Sequence, residues 1–174
     1  MSKIAVIYKS KYGATKQYAR WIAEELSAPL FEASDIKPSQ LADYDVVVYG
    51  GGLYAGGISG VKLVTENPVK ALVVFTVGLK DPETADFSDV LTKNFKQEYL
   101  PKIKVFHLRG GADFKSLSLF HKGIIATLKK VAEKKSPDER TSEEQTAFAI
   151  ADKEVDFTDK EAISPLVEYV RSLL

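Results

Sequence analysis

Ile4-Ala5-Val6-Ile7-Tyr8-Lys9-Ser10-Lys11-Tyr12-Gly13-Ala14-Thr15, continued by Lys16 to Leu26, organises the rest of the chain. Ile4 to Tyr8 is an apolar run, too short for a helix and rich in strand-favouring residues. Ser10 to Thr15 breaks the run with hydroxyls, a lysine and a glycine. Tyr18, Ile22 and Leu26 then recur at i, i+4 and i+8, with Ala19 and Ala23 beside them. That spacing puts one apolar stripe on an amphipathic helix. The reading is strand, loop, helix.

The loop carries the chemistry. A helix N-terminus leaves backbone N–H groups unpaired and bears partial positive charge, so it favours anions. Gly13 permits a tight turn and a close approach. Ser10 and Thr15 supply hydroxyls, and Lys11 and Lys16 supply charge. Together they make a phosphate cradle at the carboxyl end of the first strand. The same residues also read as an ordinary connection in which Thr15 only caps the helix. The loop has neither GxGxxG nor GxxxxGK[ST], which argues against a dinucleotide fingerprint and a P-loop NTPase.

Further along, Pro29 to Glu32 is a short, weak strand, and Pro38 breaks the loop after it. Asp45 to Tyr49 is a β-branched run that suits a strand covered on both faces. It ends in Gly50-Gly51-Gly52-Leu53-Tyr54-Ala55-Gly56-Gly57, with five glycines in eight residues. Glycine costs backbone entropy, so this run implies a close, unhindered backbone, or else a flexible connector. Ile58 to Glu66 reads as a helix, stopped by Asn67-Pro68. Ala71 to Val77 is another buried strand, leading into Gly78-Leu79. Phe87, Val90, Leu91 and Phe95 keep helical spacing. Ile103 to Leu108 is the next strand, followed by Arg109-Gly110-Gly111-Ala112-Asp113.

From Leu117, the positions Phe120, Ile124, Leu128 and Val131 make a long amphipathic helix whose other face carries lysines. Its stripe is expected to pack on the sheet, although it could instead cover a ligand or face a membrane quinone. Ser136 to Asp152 reads as a polar surface excursion, with one helical turn near Ser142 to Phe148. Thr158-Asp159-Lys160-Glu161 has the capping-box pattern. Ile163, Leu166, Val167 and Val170 form the stripe of the last helix. Pro165 either kinks that helix or, as Ser164-Pro165, starts it.

Composition bounds the function. A chain of 174 residues suits one domain with a proper core, residues 1–174. Lys+Arg and Asp+Glu balance at 24 each, so no global field points to nucleic acid or to an acidic docking face. The absence of cysteine excludes disulfides, Fe–S clusters and thiolate zinc sites. His107 and His121 are too few and too far apart for a metal site, and both read as structural or surface residues. Met1 is followed almost at once by the first strand, which leaves no room for a signal peptide. No apolar run is long enough to span a bilayer. A cytoplasmic location is therefore the expectation.

The order β-α-β-(α)-β-α-β-α-β-α-α implies an α/β fold: a doubly wound, parallel, five-stranded sheet with helices on both faces. Glycine-rich loops follow the first, third, fourth and fifth strands, where such folds bind ligands. A phosphate loop beside open glycine loops suits a flat phosphorylated ligand, and FMN fits. A phospho-receiver would need clustered aspartates at strand ends that here hold Tyr8-Lys9 and Tyr49-Gly50.

Tyr8-Lys9-Ser10-Lys11-Tyr12-Gly13-Ala14-Thr15 resembles the flavodoxin phosphate loop, (S/T)-x-x-G-x-T. The resemblance runs roughly from Lys3 to Asp113 and again at the C-terminal helix. It is closest to the flavodoxin-like, menaquinone-dependent protoporphyrinogen dehydrogenases, through Ala42 to Asp45, Tyr49 to Tyr54, Phe75 to Leu79 and Lys153 to Val155. The resemblance implies that Ser10, Lys11, Tyr12, Gly13, Ala14 and Thr15 meet the FMN phosphate. It places Gly52, Leu53, Tyr54, Ala55 and Gly56 along one side of the flavin, and Val77, Gly78 and Leu79 along the other. Tyr54 is the candidate for stacking on the isoalloxazine, its alternative being a core aromatic. The porphyrinogen enzymes carry an arginine-rich insertion after the fifth strand, whereas Arg109, Phe114, Lys115, Phe120, His121 and Lys122 here include one arginine. The neutral balance also departs from the acidic faces of flavodoxin carriers. The implied function is an FMN oxidoreductase acting on a small or lipophilic substrate of quinone or porphyrinogen type, or else a carrier serving a redox partner protein. Peripheral membrane contact is compatible with it.

Overall fold

The computed structural model describes residues 2–174. Ile4–Lys9 forms β1, buried from Ile4 to Tyr8. A strand covered on both faces needs a continuous apolar run rather than alternation. Val46–Tyr54 (β3) and Leu72–Gly78 (β5) meet that requirement. Leu30–Glu32 (β2) is short and Lys104–Arg109 (β6) is only partly buried, as befits edges. These five strands pair in parallel in the order β2-β1-β3-β5-β6. The chain reverses its winding direction between β1 and β3, which opens a crevice at their carboxyl ends.

Helices cover both faces. On one, α1 (Ala14–Leu26) and α6 (Ser164–Ser172) set Tyr18, Ile22, Leu166 and Val170 against Val6, Val48 and Phe75. On the other, the helical turn Pro38–Asp43, α2 (Lys62–Thr65) and α3 (Ser88–Asn94) set Leu41, Val64 and Val90 against Ile7, Val47 and Val74. The α6 helix begins at Ser164-Pro165, so the proline lies in the first turn, where its missing N–H costs nothing.

The structure corrects several expectations. The third strand does not stop at Tyr49 but runs through the glycines to Tyr54. A Cβ on Gly50 would lie 2.0 Å from Cζ of Phe75, and one on Gly51 would lie 2.6 Å from Cγ2 of Ile58. Part of the glycine signal is therefore core packing and not ligand access. The expected helix over Ile58 to Glu66 is instead β4 (Gly57–Ile58) followed by the single turn of α2. The two-residue turn Ala55-Gly56, with φ of 49° and 75°, folds β4 back antiparallel on β3. Asn94 locks this hairpin, its Oδ1 accepting the Ile58 N–H at 2.8 Å and its Nδ2 donating to the Gly56 carbonyl at 2.8 Å.

The capping box also lies elsewhere. Asp159, not Thr158, caps the turn before α6, its Oδ1 accepting the Glu161 N–H at 2.9 Å. Thr158 bonds instead to Asp156. Reciprocal boxes occur at Ser136 with Glu139 and at Thr141 with Glu144. The latter, with Glu143 also in the first turn, starts α5 (Ser142–Ile150), a helix of nine residues where one turn was expected. A second, two-stranded antiparallel sheet pairs β7 (Gly111–Asp113) with β8 (Glu154–Asp156). Between those strands the chain forms α4 (Leu119–Glu133) and α5, a helical hairpin on a β-ribbon stalk. Among the described residues no helix is long and apolar enough to cross a membrane.

Candidate functional site

The left-handed φ of 101° at Gly13 turns the chain from β1 into α1, and a glycine is needed there even though a Cβ would meet nothing within 4 Å. Its N–H donates to Oγ of Ser10 at 3.1 Å, which folds the loop back on itself. The α1 N-terminus has no side-chain cap and no acidic residue in its first turn. Thr15 is buried in that turn and is not the cap residue. The first-turn amides therefore keep their affinity for an anion.

A cavity of about 640 Å³ opens above this terminus, at the carboxyl ends of β1, β3 and β5. Of the fourteen residues singled out in the sequence, twelve line it. Ser10, Tyr12, Ala14 and Thr15 come from the first loop. Gly52, Leu53, Tyr54, Ala55 and Gly56 come from the β3–β4 hairpin. Val77, Gly78 and Leu79 come from the end of β5. Lys11 and Gly13 do not line it; Lys11 sits 5.4 Å over the Tyr12 ring instead.

The far wall follows the alternative left open for α4, a cover over the strand ends, and not the expected packing on the sheet. The apolar stripe of α4 does not pack on the sheet, and of this helix only Ala132 is fully buried. Phe120, His121, Ile124, Ile125 and Leu128 face the cavity, joined by Ala147 and Ile150 of α5. The β7–β8 ribbon holds the hairpin out beyond the strand ends, so the stripe becomes a roof. The stripe itself was visible in the sequence; the ribbon that redirects it was not.

His121 is the main residue that sequence reasoning missed. It is neither structural filler nor a surface residue but part of the cavity wall. Its ring stacks on Tyr54, with centroids 5.1 Å apart and planes 3° from parallel. Its Nδ1 lies 2.5 Å from the Tyr12 hydroxyl, which also accepts the Ser118 N–H at 3.3 Å. Burial and the Lys11 cation hold the imidazole below its ordinary value, so it is neutral at pH 7. Burial, helped by Tyr12, pushes the Tyr54 phenol up to about 12. Tyr54 is thus a neutral aromatic surface within the cavity.

Supporting groups brace these walls. Arg109 Nε donates to the Leu79 carbonyl at 3.0 Å, and its guanidinium carbon lies 3.7 Å over the Phe157 ring. The Gly110 N–H donates to the Gly78 carbonyl at 2.7 Å. Lys93 Nζ reaches the Ala55 carbonyl at 2.5 Å, and Lys80 pairs with Glu143 across the gap between β5 and the roof. His107 sits lower, bonded through Nδ1 to Thr76 Oγ1 at 2.6 Å and stacked on Phe87 at 3.8 Å. The site thus combines an anion-favouring helix end, glycine-rich strand ends and an apolar roof.

The chain is similar to several known proteins. An uncharacterized protein of Methanocaldococcus jannaschii is 33% identical over 55 residues, which are 31% of this chain and 37% of that one. The match spans little more than a third of that relative's length. A flavodoxin, WrbA-like protein from Agrobacterium tumefaciens superposes over 87% of this chain and 96% of its own, at 16% identity and a TM-score of 0.45. A flavoprotein from Lactobacillus acidophilus, solved in complex with FMN, superposes over 63% of this chain and 93% of its own, at 15% identity and a TM-score of 0.41. The sequence pattern that defines the flavodoxin domain matches residues 5–139, from the first strand through the α4 roof. By that match the chain belongs to the flavodoxin domain family.

Proposed function

We propose that the chain binds FMN and passes electrons between the flavin and a small or lipophilic acceptor of quinone or porphyrinogen type. The observation that carries this reading is the single cavity into which the phosphate-loop, hairpin and β5 residues converge, with an uncapped helix N-terminus at one end. In this reading the first-turn amides of α1 and the hydroxyls of Ser10 and Thr15 hold the phosphate. The backbone of Gly78 and Leu79 flanks the ring system on one side, and the hairpin around Tyr54 flanks it on the other. The apolar roof limits water at the reacting face. Bound FMN would supply the redox chemistry itself.

Two observations refine the acceptor. Arg109 is already committed to the Leu79 carbonyl and the Phe157 ring, which disfavours it as a partner for porphyrin carboxylates. A quinone is the better fit. The helical roof also covers the strand ends that a carrier would present to a partner protein, which favours an enzyme over the carrier reading.

The test begins with the absorption spectrum of purified protein and a fluorescence titration with FMN. Thr15→Ala is expected to weaken FMN binding roughly 10-fold or more, the loss of a hydrogen bond to a charged group. Unchanged affinity removes Thr15 from the site. Reduction of a quinone by the FMN-loaded protein, without any partner protein, separates enzyme from carrier.

A further inference from the structure

The roof is tied to itself far more firmly than to the domain beneath it. Neither hydrophobic core of the sheet includes a described residue between Gly111 and Asp156. The side chains that this segment does bury, Ala132, Ala147 and Ile150 among them, lie on α4 and α5 themselves. Lys135 Nζ donates to both carboxylate oxygens of the buried Glu144, at 2.8 and 3.0 Å, and Arg140 Nε donates to the Ala132 carbonyl at 2.9 Å. Ties of this kind across the two helices make the hairpin one body.

Its polar ties to the domain are few. Among the described residues, the hydrogen bonds and ion pairs of 114–153 reach only Tyr12 and Lys80 beneath them. Tyr12 oxygen accepts the Ser118 N–H at 3.3 Å and lies 2.5 Å from Nδ1 of His121, at the start of α4. Lys80 pairs with Glu143, at the start of α5. That pair is partly in water, where an ion pair contributes little. Under the helices lies the cavity rather than packed protein, so lifting them unpacks no core.

The stalk, by contrast, is fixed at its base. The Tyr18 hydroxyl donates to the Arg109 carbonyl at 2.7 Å, and the Phe157 N–H donates to the Gly110 carbonyl at 3.1 Å. Above that level three residue pairs of ribbon, from Gly111 with Asp156 to Asp113 with Glu154, carry the hairpin. A two-stranded ribbon has little stiffness of its own.

We propose that the α4–α5 hairpin is a lid, which swings as one body on the β7–β8 ribbon and is latched shut by Tyr12 and by the Lys80–Glu143 pair. Its opening is the route by which a solute reaches the compartment beneath. The lid belongs to the chain alone, and it rests on the cofactor reading only in that FMN would be one of the solutes that pass.

The chain has no cysteine, so one introduced thiol reports on access without background. Ala147→Cys puts it on the cavity side of α5, where the native side chain is 2% exposed. The probe is dithionitrobenzoate, and its rate of reaction with the full-length chain follows the population of open molecules. In that background Tyr12→Phe, Lys80→Met and Glu143→Gln are each expected to raise the rate about threefold or more. Lys80→Met and Glu143→Gln break one pair from opposite sides, so a variant that fails to fold leaves the other to decide. Lys129→Met, which removes a pair with Asp152 inside the hairpin, is expected to leave the rate within about twofold. Dilute urea is expected to change the rate far less than it changes the unfolding equilibrium, because the lid opens without unfolding. FMN association, followed by flavin fluorescence, is expected to be about threefold faster in Glu143→Gln.

A labelling rate unchanged by all the latch variants overturns the proposal, as does a rate that tracks global unfolding in urea. Equal acceleration by Lys129→Met also overturns it, because the hairpin would then be loosening rather than swinging. So does faster labelling with unchanged FMN association, which would give the cofactor another way in. A chain that binds no FMN sinks the cofactor reading, and the thiol still decides the lid. A chain that binds FMN but fails the labelling test loses the lid and keeps the cofactor.

Discussion

Helices α1 and α4 carry the same kind of apolar stripe and use it in opposite ways. The α1 stripe closes on the sheet, where Tyr18, Ala19 and Ile22 lose all contact with solvent. The α4 stripe leaves Phe120 74% exposed and Ile124 41%. The difference comes from what precedes each helix. The loop into α1 is short, and a parallel crossover must lie back on the sheet. The connection into α4 passes through β7, which pairs with β8 rather than with the main sheet. An amphipathic pattern therefore marks which side of a helix is apolar, but not what covers that side. In α1 the cover is the core; in α4 it is a cavity.

The largest expected effect tests the α1 side of this contrast. Ile22→Ala removes a fully buried side chain and is expected to destabilise the protein by about 2–5 kcal/mol in urea unfolding. Gly50→Ala tests the packed sheet beneath the cavity. Its Cβ would collide with the Phe75 ring, and the overpacking is expected to cost about 1–3 kcal/mol, partly relieved by adding Phe75→Leu.

Between the sheet and the site lies His107, whose burial holds its pKa down at about 4. The unfolded chain, with an ordinary imidazole, takes up a proton first as pH falls. Stability is therefore full above about pH 6.5 and declines as pH drops towards 4. The loss is expected to be about 1–2 kcal/mol once the partial exposure of the ring is allowed for. His107→Gln should flatten that slope, measured as the unfolding midpoint against pH. The smallest effect belongs to the roof. Ile124→Ala is expected to change stability by less than about 0.5 kcal/mol, because its side chain is already partly in water. A loss matching that of Ile22→Ala would mean that α4 is core after all, and the contrast would fail.

Particular residues show where sequence reading succeeds and where it stops. The strand, loop and helix from Ile4 to Leu26 appear as expected, with the strand running one residue further to Lys9 and the helix starting at Ala14, because short-range periodicity and one obligatory glycine specify them. Ile58 was misread as helical because its neighbours have helical spacing, whereas its pairing partner Leu53 lies across a turn formed by Ala55 and Gly56. Thr158 matched the capping pattern, but its hydroxyl donates to Asp156, and Asp159 takes the Glu161 N–H that the cap would have accepted. The glycines after Tyr49 signalled close approach correctly, although part of what approaches is the Phe75 ring from the next strand. His121 gave no signal, since its meaning comes from Tyr12 and Tyr54, more than sixty residues away in the chain.

Local order and alternation were enough to establish the parallel layered sheet, the strand-end position of the site and the anion-favouring turn at Gly13. These rest on interactions between residues close in sequence, and on chain-crossing rules that hold for any such pattern. The roof, the redirected α4 stripe and the Tyr12–His121–Tyr54 cluster depended on long-range pairing of β7 with β8. That pairing joins short strands whose few residues carry no periodic signal, so only the assembled chain shows which apolar surface closes on protein and which is left for a ligand.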